Sequence, residues 1–437
     1  MSESDARRES TPEGPHLAGS SRLLRAINET AALRHLLERG PLTRGDLREL
    51  TGLAKPTTSE VLRRLQEAGL AQVVGRTSGG PGRNAEVYAV NPDAAYAAAV
   101  SVREHHYCLA IAICDLTGRQ RAQLEVAVGD DDPVTAVADA VKGACERARI
   151  PRRRLHHVQL AVPGSYDERA GVVRYVDVPG WSRVGLVDEI RARMRTPVSV
   201  DNDVNLAATA ERRHGTAADH DSFALLWLGE EGIGLAIDLG GVLLRGSHGG
   251  AGEIGYMPVG LPGRGADDKP AGVHDFQDLV GGQAVRDLAR QYGLTADTGQ
   301  AATEAAVAAL TGDDPAKAQA FLDALAVRIA VGFAAVVAVL DPSLVVLAGE
   351  VGQAGGAALR DAVRVALDDL SVFRTSVATT GVTQDAVLIG ALDASLTQVH
   401  HALLGRRPEP GGRSEPGPRS EPGQGPEPGQ RPEPGRG

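Results

Sequence analysis

Ala32, Leu33, Leu36 and Leu37 recur at the spacing of one helix face, and Gly40-Pro41 closes that run. Leu47 and Leu50 mark a second, shorter helix ended by Gly52. A third opens at Leu53-Ala54-Lys55-Pro56, with Thr58, Val61, Leu62 and Leu65 on its apolar face and Ala68-Gly69-Leu70 as its stop. That face leaves Thr57, Ser59, Glu60, Arg63 and Arg64 to solvent. Val73-Val74 and Val87-Tyr88-Ala89-Val90 predict two strands joined by a flexible tip, Ser78-Gly79-Gly80-Pro81-Gly82. Arg76 and Arg83 flank the tip with no acid between them. Ala54 stands where a small polar cap usually precedes a helix, which weakens the third helix start by about 1 kcal/mol.

Three helices followed by a two-stranded wing read as a winged helix-turn-helix. A major groove about 12 Å wide admits one helix, whose hydroxyls and cations reach base edges and phosphates. The expected DNA-contacting residues are Lys55, Thr57, Ser59, Glu60 and Arg63 on the third helix, with Arg76 and Arg83 on the wing. The alternative for the same pattern is a three-helix interaction module that touches no nucleic acid.

Beyond the linker at Asn91-Pro92 the pattern alternates. Strands are expected at Cys108 to Cys114, Val158 to Val162, Val198 to Val200 and Leu344 to Leu347, with a hairpin of Phe223 to Leu228 and Leu235 to Leu239 about Gly229 to Gly234. Helices are expected at Val134 to Ala148, Val187 to Met194, Leu206 to Arg213, Ala284 to Tyr292 and along an Ala-rich block from Ala301 to Leu340. This is an α/β pattern long enough for two lobes. The expected division is a disordered 1–19, a winged helix 20–92, an α/β body 93–404 and a disordered Pro/Gly/Glu-rich tail 405–437.

Charge sharpens this division. The chain of 437 residues carries −10 overall, but residues 1–90 hold 13 Lys and Arg against 11 Asp and Glu, a balance of +2. The rest holds 33 against 45, a balance of −12, which argues against broad nucleic-acid binding by the body. Aromatics make up 3%, so Ala, Val and Leu must fill the core. Cys108, Cys114 and Cys145 form no Cys-x-x-Cys pair and fit a reducing cytoplasm. No leading apolar stretch resembles a signal peptide, and the run from Ile329 to Leu340, interrupted by Gly332, is too short to span a bilayer. A cytoplasmic protein without membrane partners is expected.

Two clusters carry chemistry. Asp201-Asn202-Asp203-Val204-Asn205 follows a strand and opens a helix, where α/β folds place ligands. Such groups hydrogen-bond a polyol and an aspartate among them can take a proton, although a helix N-cap and turn use the same residues. Gly249-Gly250-Ala251-Gly252-Glu253-Ile254-Gly255-Tyr256 is a Gly-rich loop around one acid, and no Walker-type Gly-Lys-Ser/Thr follows it.

Taken in order, Val162-Pro163-Gly164, Pro179-Gly180-Trp181, Asp201-Asn202-Asp203-Val204-Asn205 and Gly252-Glu253-Ile254-Gly255 resemble the ROK family of repressors, open reading frames and sugar kinases. The resemblance covers roughly 95–403. It implies an actin-like (ribonuclease H-like), two-lobed sugar-kinase-type domain with a sugar in the cleft. It implies that Asn202 and Asp203 hold the sugar, Asp203 being the base in kinases, that Glu253 meets sugar hydroxyls, and that Asp275 is a further acid of the site. Tyr256 takes the place of a family histidine that binds zinc and supports the sugar, and joins the ligand-binding set.

The departures bear on activity. The family's Asp-x-Gly-Gly-Thr phosphate loop is here Val100-Ser101-Val102-Arg103-Glu104-His105-His106. Its Gly-Thr-Gly loop is Gly229-Glu230-Glu231-Gly232-Ile233-Gly234, and its Gly-Gly-Gly loop is Ala348-Gly349-Glu350. No cysteine follows Cys145, and His248 and His274 alone do not make a closed zinc site. The loop Leu261 to Val273 is then held by packing or left mobile. No catalytic residue, cofactor or metal is expected. The expectation is a DNA-binding regulator, a homodimer or homotetramer on double-stranded operator DNA, whose body senses a sugar-type ligand. The alternatives are a sugar kinase with a DNA-binding head and a scaffold that binds DNA constitutively.

Overall fold

The computed structural model describes residues 17–77, 85–104, 107–129, 131–259, 275–312, 315–370, 372 and 374–405. The wing tip Ser78 to Gly82, Arg83, the loop Leu261 to Val273, His274 and most of both termini lie outside the described residues.

The chain begins with α1 (Leu17–Arg39), which buries Ala32, Leu33 and Leu36. This helix starts at Leu17, inside the stretch 1–19 that composition marks as unstructured. β1 (Leu42–Thr43) leads into α2 (Arg44–Thr51), where Thr43 and Asp46 exchange a capping box and Gly52 ends the helix in a left-handed conformation. α3 (Lys55–Glu67) buries Thr58, Val61, Leu62 and Leu65, and Ala54 supplies no side-chain cap. β2 (Ala71–Thr77) and β3 (Ala85–Val90) form the wing, and β1 adds to β3 as a third strand, order β1-β3-β2. A strand of two residues leaves no periodicity, which hides β1 in the sequence.

The first lobe holds β4 (Tyr96–Arg103), β5 (Cys108–Asp115), β6 (Gln120–Ala127), α4 (Pro133–Ala148), β7 (Leu155–Val162), a small hairpin of β8 (Ser165–Asp167) and β9 (Val172–Arg174), α5 (Leu186–Met194), β10 (Val198–Asn202) and α6 (Asp203–His214). Its sheet runs β10-β7-β4-β5-β6, with β7 and β10 parallel to β4. Tyr96, Ala98, Val100 and Val102 point to α4 and α5, and Ala97 and Ala99 to the opposite face. The departed phosphate-loop stretch Val100 to Arg103 is therefore the end of β4.

The second lobe contains β11 (Ser222–Leu228), β12 (Ile233–Leu239), β13 (Val242–Leu243), α7 (Phe276–Val280), α8 (Gly282–Gln291), α9 (Gly299–Ala309), α10 (Pro315–Leu340), β14 (Leu344–Ala348), α11 (Gly349–Leu370) and β15 (Ser376–Thr379). Its sheet runs β13-β12-β11-β14-β15, with the expected β11–β12 hairpin antiparallel. The Ala-rich block is two helices, α9 and α10. α10 has the length and composition to cross a membrane, more than the run Ile329 to Leu340 alone suggests. Phe321, Leu322, Leu325, Ile329, Phe333 and Val337 are buried in this lobe's core.

The chain returns to the first lobe as α12 (Ala386–Leu403), against α6 and the small-residue face of the first sheet. Gly390 permits this, since a Cβ there would stand 1.7 Å from the Leu206 carbonyl oxygen. Two five-stranded lobes, crossed by one returning helix, make the actin-like body beneath a winged head.

Candidate functional site

On the head, the outward face of α3 carries Lys55 and Arg63 exposed, with Thr57, Ser59 and Glu60 half-buried. Ser59 donates its hydroxyl to the Lys55 carbonyl at 3.0 Å. Arg63 does not stand free as the sequence suggested. Its Nε and Nη2 donate to the two Glu60 oxygens at 2.9 and 2.6 Å, and its Nη1 donates to Glu67. Arg64 donates to Glu60 at 2.7 Å and to Glu29 on α1 at 3.4 Å. These two guanidiniums hold the Glu60 carboxyl at about 2, well below its usual range. On the wing, Arg76 lies 3.9 Å from Glu86, which also accepts from Tyr88. That acid sits across the wing, beyond the span from Arg76 to Arg83. Arg83 itself lies outside the described residues.

Between the lobes, Asn202, Asp203, Glu253, Tyr256 and Asp275 line one cleft of about 1760 Å³. β10 delivers the first two. Asn202 caps α6, accepting from the Asn205 amide at 3.1 Å, while its Nδ2 donates to the Gly164 carbonyl at 3.1 Å. The cap reading and the cleft position therefore hold together. α6 starts at Asp203, before the expected Leu206, because this cap is in place. Asp201 turns away and pairs with Arg245 at 2.6 Å.

The Asp203 carboxylate accepts from the Val204 amide at 2.8 Å. Burial, with Glu104 and Glu253 nearby, pushes it up to about 7. Glu253 accepts from the Ser165 hydroxyl of β8, and burial raises its carboxyl as well. It is held there by Gly252, whose φ of +99° suits glycine and whose absent Cβ would sit 1.9 Å from the Leu235 carbonyl oxygen. Asp275 caps α7 in a capping box with Asp278, so part of its hydrogen-bonding capacity is spent on the helix.

Tyr256 leans on Tyr175, ring centres 5.2 Å apart, with both rings more than half exposed at the cleft. Tyr175 was not legible from sequence. Its signal is a large aromatic in a chain with few, held at a positive φ of 58° just after β9.

The acids in the departed loops share this cleft. Glu230 accepts from the Gly299 amide at 3.1 Å and from the Gln300 amide, so it occupies the N-terminus of α9 with the protein's own carboxylate. Glu350 accepts from the Glu230 amide, and burial, with Glu230 and Glu231 beside it, raises its carboxyl. Glu104 accepts from the Asp177 amide at 3.2 Å, and burial with Glu231 and Asp177 raises it too. The cleft lining holds twelve Asp and Glu against Arg103 and Arg286, and Arg103 pairs with Asp385. An uncharged, hydroxyl-rich ligand suits such a surface better than a phosphate. Among the described residues, no three His, Cys, Asp or Glu side chains gather as a metal-binding set.

The ROK family model matches residues 105–398 and the MarR family model matches residues 24–83. The chain is 25% identical over 246 residues to the xylose repressor of Bacillus subtilis, covering 55% of this chain and 62% of that protein. It is 26% identical over 255 residues to the DNA-binding transcriptional dual regulator NagC of Escherichia coli, covering 57% of this chain and 61% of that one. It thus spans less than two thirds of the length of these curated relatives. In fold, it is similar to a ROK family transcriptional regulator that is a homologue of the E. coli MLC protein, at TM-score 0.65 and 20% identity over 87% of this chain and 98% of that one. It is also similar to the ROK hexokinase of Thermus thermophilus, at TM-score 0.56 and 25% identity over 70% of this chain and 99% of that one. With the family match covering most of the body, the chain belongs to the ROK family.

Proposed function

We propose that this protein is a transcriptional regulator, a repressor, that binds double-stranded operator DNA through its winged head and a neutral sugar-type effector in the interlobe cleft, without phosphorylating it. The observation that carries this is the pairing on one chain of a helix-turn-helix head with a cleft whose phosphate-facing loops hold Glu104, Glu230, Glu231 and Glu350. The division is a head to about residue 92 and a sensing body from 93 to 404. Lys55, Thr57 and Ser59 meet the groove, with Arg76 and Arg83 on the flanking backbone. Asn202, Asp203 and Glu253 pair with adjacent hydroxyls, Tyr256 and Tyr175 stack on the sugar's apolar face, and Asp275 closes the rim. Two lobes closing on a ligand alter the spacing of two heads in a dimer or tetramer, and half-sites tolerate only fixed separations. The protein works in the cytoplasm, with its DNA.

The second reading is a sugar kinase with an added head. Asp203, near neutrality at about 7, has the proton affinity of a general base. One experiment separates the two. Full-length protein is titrated with a panel of hexoses, pentoses and N-acetylated sugars by calorimetry, and the same sugars are incubated with Mg·ATP. Heat with one sugar and no phosphosugar supports the regulator. Phosphate transfer that Asp203→Asn abolishes would establish the kinase. No heat with any sugar would leave a constitutive DNA-binding scaffold.

A further inference from the structure

α3 carries five charged residues, and four of them form one cage. Glu60 stands three residues before Arg63 and four before Arg64, and Glu67 stands four after Arg63. These spacings bring side chains together on a helix surface. Glu60 takes Arg63 by both oxygens and Arg64 by one, Glu67 takes the far nitrogen of Arg63, and Glu29 holds Arg64 from α1. Arg63 has five N–H donors, and three of its nitrogens are engaged. One N–H remains on each terminal nitrogen, and two neighbouring donors are what guanine O6 and N7 accept. Lys55 is the remaining cation of α3.

We propose that Glu60 is a specificity-determining residue that acts through Arg63 and Arg64: it holds both guanidiniums along the helix, so that they engage base edges that meet them there and not phosphates alone. This rests on the reading of α3 as the groove-facing helix. A phosphate contact on arbitrary sequence requires a guanidinium to swing outward, which breaks the two-point bond of Arg63 or the single bond of Arg64 to Glu60. A base contact through the remaining N–H groups does not. Each exposed ion pair is individually weak, but here four partners must be rearranged together. Glu60 is thus a positioning residue.

The test uses the full chain, a duplex selected by the wild-type protein from a random pool, and a random duplex, each across a salt series. Glu60→Gln is expected to tighten random-duplex binding and steepen its salt slope by about 0.9 per head, as for one added phosphate contact. The preference for the selected duplex is expected to fall about 5-fold or more. Glu67→Gln, touching Arg63 alone, is expected to move both readouts the same way by less. Thermal melting should be unchanged, which separates positioning from folding. Unchanged salt slope and preference in Glu60→Gln, with wild-type binding intact, overturns the proposal. So does a changed preference at a single base pair with no gain on random DNA, which would make Glu60 a direct base contact. If the wild-type chain selects no duplex, the groove-facing reading itself falls, and this inference with it.

Discussion

The outward face of α3 and the interlobe cleft both concentrate carboxylates, and they treat them oppositely. On α3 half-buried Glu60 and exposed Glu67 are each bonded to a guanidinium, and Glu60 is held at about 2. In the cleft the acids outnumber their cations, and half-buried Asp203, crowded by Glu104 and Glu253, rises to about 7. Neighbours and solvent decide the outcome, not residue type. A surface that neutralises its own acids can approach a polyanion. A pocket crowded with carboxylates and short of cations favours a ligand with hydroxyls and no phosphate.

The largest effect that should split the two regions comes from Gly252→Ala. The added Cβ meets the Leu235 carbonyl at a φ that alanine avoids, so the body should lose about 3 kcal/mol or more while the head is untouched. Differential scanning calorimetry should show the body transition shifted down and operator binding at low temperature retained. A uniform loss of both would show that the two regions fold as one unit.

Asp203→Asn should next weaken sugar binding by roughly 10–150-fold, the worth of a hydrogen bond to a charged group of about 1.5–3 kcal/mol. Calorimetry with whichever sugar of the panel gives heat with the wild type checks this, and an unchanged affinity would move the site elsewhere in the cleft.

The same variant sharpens the comparison through pH. The folded protein holds the Asp203 proton more tightly than the unfolded chain does. Its contribution is therefore present at low pH and lost as pH rises through about 7. Crossing from pH 6 to pH 8 should cost the wild type about 1.4 kcal/mol more than Asp203→Asn, seen as roughly 2–4 °C in the melting-temperature difference. Glu60, depressed to about 2, contributes at pH values above its ordinary 4.5 and loses that only in acid, so the head should be flat over the same range. A pH-independent difference for Asp203→Asn would contradict the buried, acid-crowded cleft.

Much of this contrast is written in the sequence and part of it is not. The buried face of α3 was legible because Thr58, Val61, Leu62 and Leu65 keep a helical period, and Gly52 marks the preceding stop. The β11–β12 hairpin was legible because two apolar runs flank a Gly-rich turn. β4 was hidden because Ala97, Ala98 and Ala99 show no alternation, although both faces are buried. α11 and α12 were hidden in Gly- and Ala-rich stretches whose meaning is close packing, as Gly390 against Leu206 shows. The cleft residues Asn202, Asp203 and Glu253 were found through their motif, not through any contact a sequence reveals. Tyr175 carries no motif and meets Tyr256 only in the folded chain. The Glu60 cage lay in plain spacing, but Arg63 reads as a free cation until its partners are counted.

The smallest effect is on α3. Thr57→Ala removes one hydroxyl and should alter preference at one base pair by about 1 kcal/mol or less, the worth of one uncharged hydrogen bond, while leaving the salt slope unchanged, read by competition among duplexes that differ at single positions. An equal loss on every duplex would make Thr57 a backbone contact.

The central claim joins the two regions, and operator affinity measured with and without sugar tests it most directly. Fluorescence anisotropy of the full chain on its selected duplex should shift by roughly 5–150-fold when the cleft is saturated, a coupling of about 1–3 kcal/mol. Asp203→Asn should need more sugar to give the same shift. Operator affinity indifferent to a sugar that demonstrably binds the cleft would contradict the account.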